Sequence, residues 1–197
     1  MAGGKLSMLG MWVVGVLMIA EIVGEASGRR QQGGVIPPWL DAFGAPRVQV
    51  ALSFQGSAVR TGQVLPKNLT VSRPHVSLKV PSLLATSWLT LTIVDPDAPS
   101  PADPIRANVL HWIVSNIAPA QNSNQDIWEL GIESFPYRGP SPPNGTHRYY
   151  ALVFEQSGKI QVEPIQNRTN FSVREFTKKY DLYYPVGGTF FRVTANV

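Results

Sequence analysis

The chain has 197 residues, with 17 lysines and arginines against 13 aspartates and glutamates, a net charge of +4 and no cysteine. This length supports one domain with a sizeable core, and the absence of cysteine excludes thiol catalysis, zinc–thiolate sites and disulfides. The basic residues are spread along the chain rather than gathered in a stripe, which argues against a nucleic-acid-binding protein.

The first 28 residues are typical of a secretory signal peptide. Lys5 precedes an apolar run interrupted only by glycine, residues 8–20, and small residues then permit cleavage after Ala26 or Gly28. A membrane anchor is the alternative, but the run is shorter than the roughly 20 apolar residues that a spanning helix needs. We therefore expect a secreted protein, outside the cell or in the endomembrane lumen, with no transmembrane segment in the mature chain.

The following residues, 29–46, are rich in glycine and proline and predict an irregular arm before one domain at 47–197. Alternating or continuous apolar runs bounded by turn residues predict strands at 48–53, 76–80, 88–94, 109–117, 149–154 and 189–194. Two of these, 109–117 and 149–154, are apolar on both faces, as in central strands that are covered on both sides. Nothing in the sequence indicates oligomerisation, so we expect a monomer.

One helix has a clear start signal, because Ser172 and Glu175 form a capping box. Val173, Phe176 and Tyr180 then give an apolar stripe over two turns. The many short strands and the few helical signals together predict an all-β-dominated domain.

Four Asn-x-Ser/Thr sequons follow the predicted signal peptide, at Asn68, Asn144, Asn167 and Asn170. Each can arise by chance, but together with the signal peptide they predict a glycoprotein that carries a glycan on at least one of them.

Two carboxylates come directly after a predicted strand, in the segment DPDAPSP that begins at Asp95. Its prolines have no N–H to donate, so the strand ladder ends there, and Asp95 and Asp97 are held on a stiff loop. An aspartate before proline also commonly caps a turn, which is the structural alternative for both residues.

Two histidines stand in comparable places. His111 lies in the apolar strand VLHWIVSNI, where simple alternation puts it on one face with Val109 and Ile113. His147 comes where a loop with three prolines in four residues meets the strand-forming run YYALVF. Taken singly, a hydrogen-bonded core histidine and a surface charge are adequate explanations of His111 and His147.

These segments, in the order DPDAPSP, LHWIVSNI, GPSPPNGTHRYYALVFEQ and NFSVREFTKKYDLYYPVGGTFFRV, resemble the phosphatidylethanolamine-binding protein family. The resemblance covers nearly all of the chain from about Val48 to Val193. It implies a sandwich-like fold with a large central antiparallel sheet, a smaller sheet and one or two short helices. It also implies a small anion-binding cavity at one edge of the large sheet.

The resemblance assigns ligand-binding positions residue by residue. Asp95 and Asp97 match the family's aspartate pair, and His111 matches the histidine of the strand that follows. In the proline loop the matching positions are Pro143, His147 and Tyr149. The loop is then a rigid rim that sets His147 opposite Asp95 and His111.

Such a set suits a zwitterionic phosphate ester. Imidazoles can donate hydrogen bonds to phosphate oxygens, more strongly when protonated, and a neighbouring carboxylate favours the imidazolium and fixes its tautomer. A carboxylate can also accept from an ammonium group such as that of ethanolamine. We expect a non-enzymatic binding protein, without cofactor or metal, for phospholipid head groups or other phosphate-type anions, which could also regulate or inhibit a protein partner.

The sequence departs from the family pattern in three respects. It ends at Val197 without the C-terminal helix of mammalian members, which predicts a more open mouth to the cavity. The Asn144 sequon lies on the expected rim, where a glycan could hinder a protein partner. The predicted secretion also means that the kinase-regulating and flowering-control roles of intracellular members transfer poorly.

Three other interpretations stay open at this point. A hydrolase would need an activated serine, but the nearest segment, GPSPP, lacks the Gly-x-Ser-x-Gly pattern. A metal site built from Asp95, Asp97, His111 and His147 follows no recognised close spacing. The third is a protein-interaction or protease-inhibitor module whose pocket is vestigial.

Overall fold

The structure, a computed structural model, describes residues 47–118 and 124–195. The predicted signal peptide (1–28) and arm (29–46) lie outside the described residues, so those two assignments remain predictions. Among the described residues, no helix is both long and apolar enough to cross a membrane.

The described chain is built mainly from strands, with two short helices. The strands are β1 (Gln49–Phe54), β2 (Ser57–Val59), β3 (Val64–Leu65), β4 (His75–Lys79), β5 (Trp88–Asp95), β6 (Val109–Ile117), β7 (Ile132–Phe135), β8 (Thr146–Gln156) and β9 (Leu182–Thr194). The helices are α1 (Ile127–Leu130) and α2 (Val173–Lys179).

The strands form two sheets. A six-stranded sheet has the order β3-β9-β8-β5-β6-β7, and a three-stranded sheet has the order β2-β1-β4. All pairs are antiparallel except β3 with β9. This confirms the predicted fold class, with a large central sheet and a smaller one.

Both faces of the large sheet are buried, which explains why β6 and β8 are apolar on both sides. One face packs against the small sheet through a cluster that includes Phe54, Leu91, Trp112, Ala151 and Phe191. The other face packs against α2 and neighbouring loops through a cluster that includes Leu110, Tyr150, Leu152, Phe176 and Phe190.

Helix α2 begins where its sequence predicts. The Ser172 side chain accepts a hydrogen bond of 3.1 Å from the Glu175 backbone N–H, and Val173 and Phe176 are buried against the sheet. Strands β2, β3 and β7 and helix α1 were not predicted. They have four residues or fewer, too short for a hydrophobic period to be recognised.

The central strands bring the polar residues of the sequence to one end of the large sheet. Strand β5 ends at Asp95, whereas its two neighbours, β6 and β8, begin near that end because both run antiparallel to it. Alternation along the strands places Asp95, His147 and Tyr149 on the face that packs against the small sheet.

Candidate functional site

A buried ion pair joins the two loops that the sequence analysis singled out. His147 Nδ1 lies 2.8 Å from Asp95 Oδ2, and its Nε2 lies 3.0 Å from the Asn144 carbonyl oxygen. His147 is fully buried and Asp95 is 4% exposed. Since both ring nitrogens face acceptors, the arrangement is satisfied only when the ring carries both protons and is positively charged.

The charge on His147 agrees with its surroundings. Burial alone would lower the pKa of the imidazole, but the hydrogen bond to Asp95, the charge of Asp95 and the Asn144 carbonyl together raise it above the ordinary 6.5. The Asp95 carboxylate is held in turn, because its Oδ1 accepts 2.8 Å from the Asp97 backbone N–H. His147 and Asp95 are therefore a rigid pair with no donor left for a ligand.

Asp97, although predicted as a ligand-binding residue, is engaged by Arg148. Asp97 Oδ2 accepts from both the backbone N–H and Nε of Arg148, each at 2.8 Å, and Oδ1 accepts from its guanidinium at 2.6 Å. Asp97 is 2% exposed. This two-pronged contact ties the aspartate loop to the start of β8.

His111 reaches the site through a β-bulge. Ile93 pairs with Trp112 and Val94 pairs with Leu110, so His111 is an extra residue on β6 with no residue opposite it on β5. The predicted common face of His111 with Ile113 is therefore wrong, whereas Val109, which pairs with Asp95, lies on the same side as His111. Ile113 packs on the α2 side, whereas the His111 ring contacts Tyr149 edge-to-face at 5.1 Å.

The His111 ring has one engaged and one open nitrogen. Nδ1 lies 2.6 Å from the Arg138 carbonyl oxygen and must donate to it; Nε2 has no hydrogen-bond partner among the described residues. Burial is the largest influence and lowers the pKa of this imidazole below 6.5, and the Arg168 and Arg138 cations act in the same direction. His111 is therefore neutral near pH 7, and its Nε2 lone pair is not engaged by any described residue.

Tyr149 is the last side chain of the site, and its hydroxyl is available to a ligand. The residue is fully buried, and its hydroxyl makes no hydrogen bond of good geometry within the described part of the chain, although it lies close to the Asp95 carboxylate. Burial, the nearby charge of Asp95 and the side-chain contact with that carboxylate raise the pKa of this hydroxyl far above its ordinary value, so it stays protonated. The Tyr149 ring lies between two aromatic neighbours, stacked on Phe191 at 5.3 Å and on His147 at 6.5 Å.

The rim of the site consists of the aspartate loop (96–108) and the proline loop (139–145). Pro143, the predicted pocket proline, is exposed, while Pro140 and Pro142 are buried. The loops touch at Gly145, which has φ +76° and where a Cβ would lie 3.2 Å from Pro101. Glycine permits both this backbone conformation and this approach.

The other predictions concern catalysis, metal binding and glycosylation. Ser141 of the proline loop is exposed, and the described residues contain no group of three or more metal-ligating side chains placed to hold an ion. The four sequon asparagines are exposed: Asn68, Asn144, Asn167 and Asn170.

Three arginines with roles around the site were missed by the sequence analysis. Arg148 holds Asp97, the Arg138 carbonyl fixes His111, and the Arg168 guanidinium donates to the Leu110 and Pro136 carbonyls. One feature of the sequence pointed to Arg148. It directly follows His147 on a strand, so its side chain lies on the opposite face of the sheet.

Together, the fold and site define a two-sheet β-sandwich protein with a buried His–Asp pair at one end of its central sheet. The family model described as phosphatidylethanolamine-binding protein matches residues 55–191. The chain therefore belongs to the phosphatidylethanolamine-binding protein family, and the resemblance noted in the sequence is confirmed.

Relatives and solved structures agree with this assignment. The chain is 34% identical over 160 residues to Protein TERMINAL FLOWER 1 of Arabidopsis thaliana, covering 81% of this chain and 86% of that protein. It is 32% identical over 180 residues to CEN-like protein 1 of Nicotiana tabacum, covering 91% of each. The carboxypeptidase Y inhibitor, solved in complex with its cognate proteinase, shares the fold with a TM-score of 0.64 at 20% identity, covering 77% of this chain and 85% of that one.

Proposed function

We propose that this protein is a secreted, non-enzymatic binding protein for a phosphate-type anion such as a phospholipid head group. One observation carries the proposal: the buried Tyr149 hydroxyl lacks a hydrogen bond of good geometry, and its ring contacts the ring of His111, whose Nε2 is also open. A buried polar group without a partner costs about 1–3 kcal/mol. A ligand that supplies the missing oxygen acceptor recovers that cost.

The roles of the site residues divide into two kinds. Tyr149 and His111 have polar atoms available to a ligand, whereas His147 and Asp95 are saturated by each other and by backbone groups. The saturated pair positions Tyr149 through the His147 ring and supplies a fixed charge distribution. A binding site of this kind needs few side chains, because each hydrogen bond is stronger in a buried setting.

The same geometry supports binding rather than catalysis. A general base must have a lone pair within reach of the proton that it removes, and His147 has both ring nitrogens engaged. His111 Nε2 is open, and no hydrogen bond in the described part of the chain joins it to the hydroxyl of Ser141 or of another serine or threonine. A nucleophile activated by an adjacent base is therefore not assembled from these residues.

Substituting Tyr149→Phe tests the proposal and separates binding from folding. Affinity for phosphorylethanolamine, measured by titration calorimetry, should fall about tenfold, the value of one good hydrogen bond. The free energy of unfolding should instead rise by about 1 kcal/mol, because the variant removes a buried unsatisfied hydroxyl.

Tyr180→Phe is the matched control, since the Tyr180 hydroxyl accepts from the Glu163 backbone N–H at 2.9 Å and packs beside Phe176 of α2, on the other side of the sheet. Its affinity should equal that of the wild type. Equal affinity in Tyr149→Phe as well would remove the observation on which the proposal rests.

A protein-interaction or inhibitor function is the second candidate, and the rim favours it. Ile105 in the aspartate loop is 70% exposed and Pro143 projects from the proline loop. Exposed apolar side chains on rigid loops are typical contact points for a protein partner. For an inhibitor, Ile105→Asp should weaken inhibition of carboxypeptidase Y, the target of the structural neighbour, while Tyr149→Phe leaves it unchanged.

Secretion and glycosylation can be tested directly in a secretory eukaryotic host. The chain should be recovered from the medium with its amino terminus just after Ala26 or Gly28, and peptide N-glycosidase should lower its mass. Asn144→Gln should remove part of that mass if the rim sequon is used. Recovery of the chain from the cytosol with Met1 intact would contradict the proposed location.

A further inference from the structure

We propose that anion binding at this site takes up one proton at His111, so that the site loads ligand in acidic surroundings and releases it toward neutral pH. This inference rests on the proposed anion-binding function and concerns the regulation of the same site. It depends on which polar atoms of the site are already engaged and which are open.

The tautomer of unliganded His111 is fixed by its short contact. At 2.6 Å from the Arg138 carbonyl, Nδ1 must carry a proton, because a bare Nδ1 would place two lone pairs against each other. In the neutral ring Nε2 is consequently an acceptor. It therefore repels the oxygen of an anion that approaches Tyr149.

Protonation reverses this interaction. Once Nε2 carries a proton, His111 donates to Arg138 with one nitrogen and to the ligand oxygen with the other, in a charge-assisted hydrogen bond. The Tyr149 hydroxyl lies on the ring that His111 contacts edge-to-face and can donate to the same anionic group. Protonated His111 and Tyr149 thus form a two-donor site, and neutral His111 does not.

No other group of the site takes over this proton. His147 is fully protonated in the geometry observed, with acceptors at Nδ1 and Nε2. Tyr149 keeps its proton because burial raises the pKa of its hydroxyl, and Asp97 is held by three hydrogen bonds from Arg148.

The groups that face His111 set the direction of the effect. Burial and the Arg138 and Arg168 cations lower its pKa, while the Arg138 carbonyl and the Asp95 charge oppose them; Tyr149, the aromatic residue on β8, is neutral. A bound anion adds negative charge next to the ring and so raises the pKa of His111 in the complex. Affinity therefore increases as the pH falls through the pKa of the complex, and it becomes constant below the lower pKa of the unliganded protein.

Calorimetry with glycerophosphorylethanolamine measures the proton directly, because its phosphodiester keeps one charge between about pH 5.5 and 7.5 while histidine titrates. Titrations in two buffers with different ionisation enthalpies should give close to one proton taken up per ligand near neutral pH. The dissociation constant should rise by up to about tenfold per pH unit in that window.

Two variants identify the residue that takes up the proton. His111→Gln offers the ligand an N–H that does not titrate, so its affinity should be independent of pH and its proton uptake zero. Tyr149→Phe should bind more weakly and still take up one proton, which keeps the inference testable if His111→Gln does not fold. The His111 ring proton signals in NMR spectra should report a higher pKa with ligand than without.

Each outcome has a distinct meaning. Binding without proton uptake, or uptake that persists in His111→Gln, would overturn this inference and leave the anion-binding function standing. Absence of binding at every pH would overturn the proposed function itself.

Discussion

Substituting Asp95→Asn should lower the free energy of unfolding by about 3–5 kcal/mol, the range expected when one partner of a buried ion pair is removed. Asp95 is 4% exposed and His147 is fully buried. An asparagine has the same shape but only one oxygen. It can accept from His147 Nδ1 or from the Asp97 backbone N–H, whereas Asp95 accepts from both.

The pH dependence of stability gives a second signature of this pair. The pKa of His147 is raised on folding, so its contribution is fully present below the unfolded pKa of about 6.5 and is lost as the pH rises through the folded value. The wild-type protein should therefore lose stability above neutral pH. Asp95→Asn should show a flatter profile, because the partner that raises the pKa is gone.

Urea denaturation at several pH values measures both effects. Asp103→Asn is the matched control, since Asp103 lies exposed in the same loop and should change stability by less than about 0.5 kcal/mol. If Asp95→Asn loses no more than about 1 kcal/mol, the pair behaves like a surface salt bridge and the rigid positioning role assigned to it is wrong.

The order and type of the longer elements could be read from the sequence, because they depend on local patterns. Strands β5, β6 and β8 carry continuous apolar runs, and α2 has both its capping residue and its apolar stripe. The short elements that the sequence did not predict depend on tertiary strand pairing. The parallel contact of the two-residue strand β3 with β9, for example, has no periodic signal of its own.

The family resemblance points to the residues of the candidate site, but the sequence does not reveal which of them keep a polar atom free for a ligand. The bulge that turns His111 toward Tyr149 depends on the register between β5 and β6, which alternation along one strand cannot reveal. Which histidine nitrogens are open depends on the Arg138 and Asn144 carbonyls. These are backbone groups, present at every position, so no residue type marks them in advance.

The same limit applies to a buried polar network on the central strands. The Gln156 amide is 3% exposed and makes four hydrogen bonds. Its oxygen accepts from the Thr90 hydroxyl and the Asn116 backbone N–H, and its nitrogen donates to the Asn116 side chain and the Gly158 carbonyl. Asn116 in turn exchanges two hydrogen bonds with the Ile160 backbone, so this network fastens the segment after β8 to the sheet.

Gln156→Glu should lower the free energy of unfolding at pH 7 by about 3 kcal/mol, because the carboxylate keeps the size of the amide but faces two acceptors without a proton to give. Those acceptors raise the pKa of the new carboxyl in the folded state above its unfolded value of about 4.3. The variant should therefore regain stability as the pH falls, since protonation restores one donor, and lose it again as the pH rises through the folded pKa. Gln161→Glu, the same change at an exposed position, should shift stability by less than about 0.5 kcal/mol with no recovery in acid. If the two variants behave equally in denaturation experiments, the Gln156 network does not stabilise the packing of the segment after β8 against the sheet.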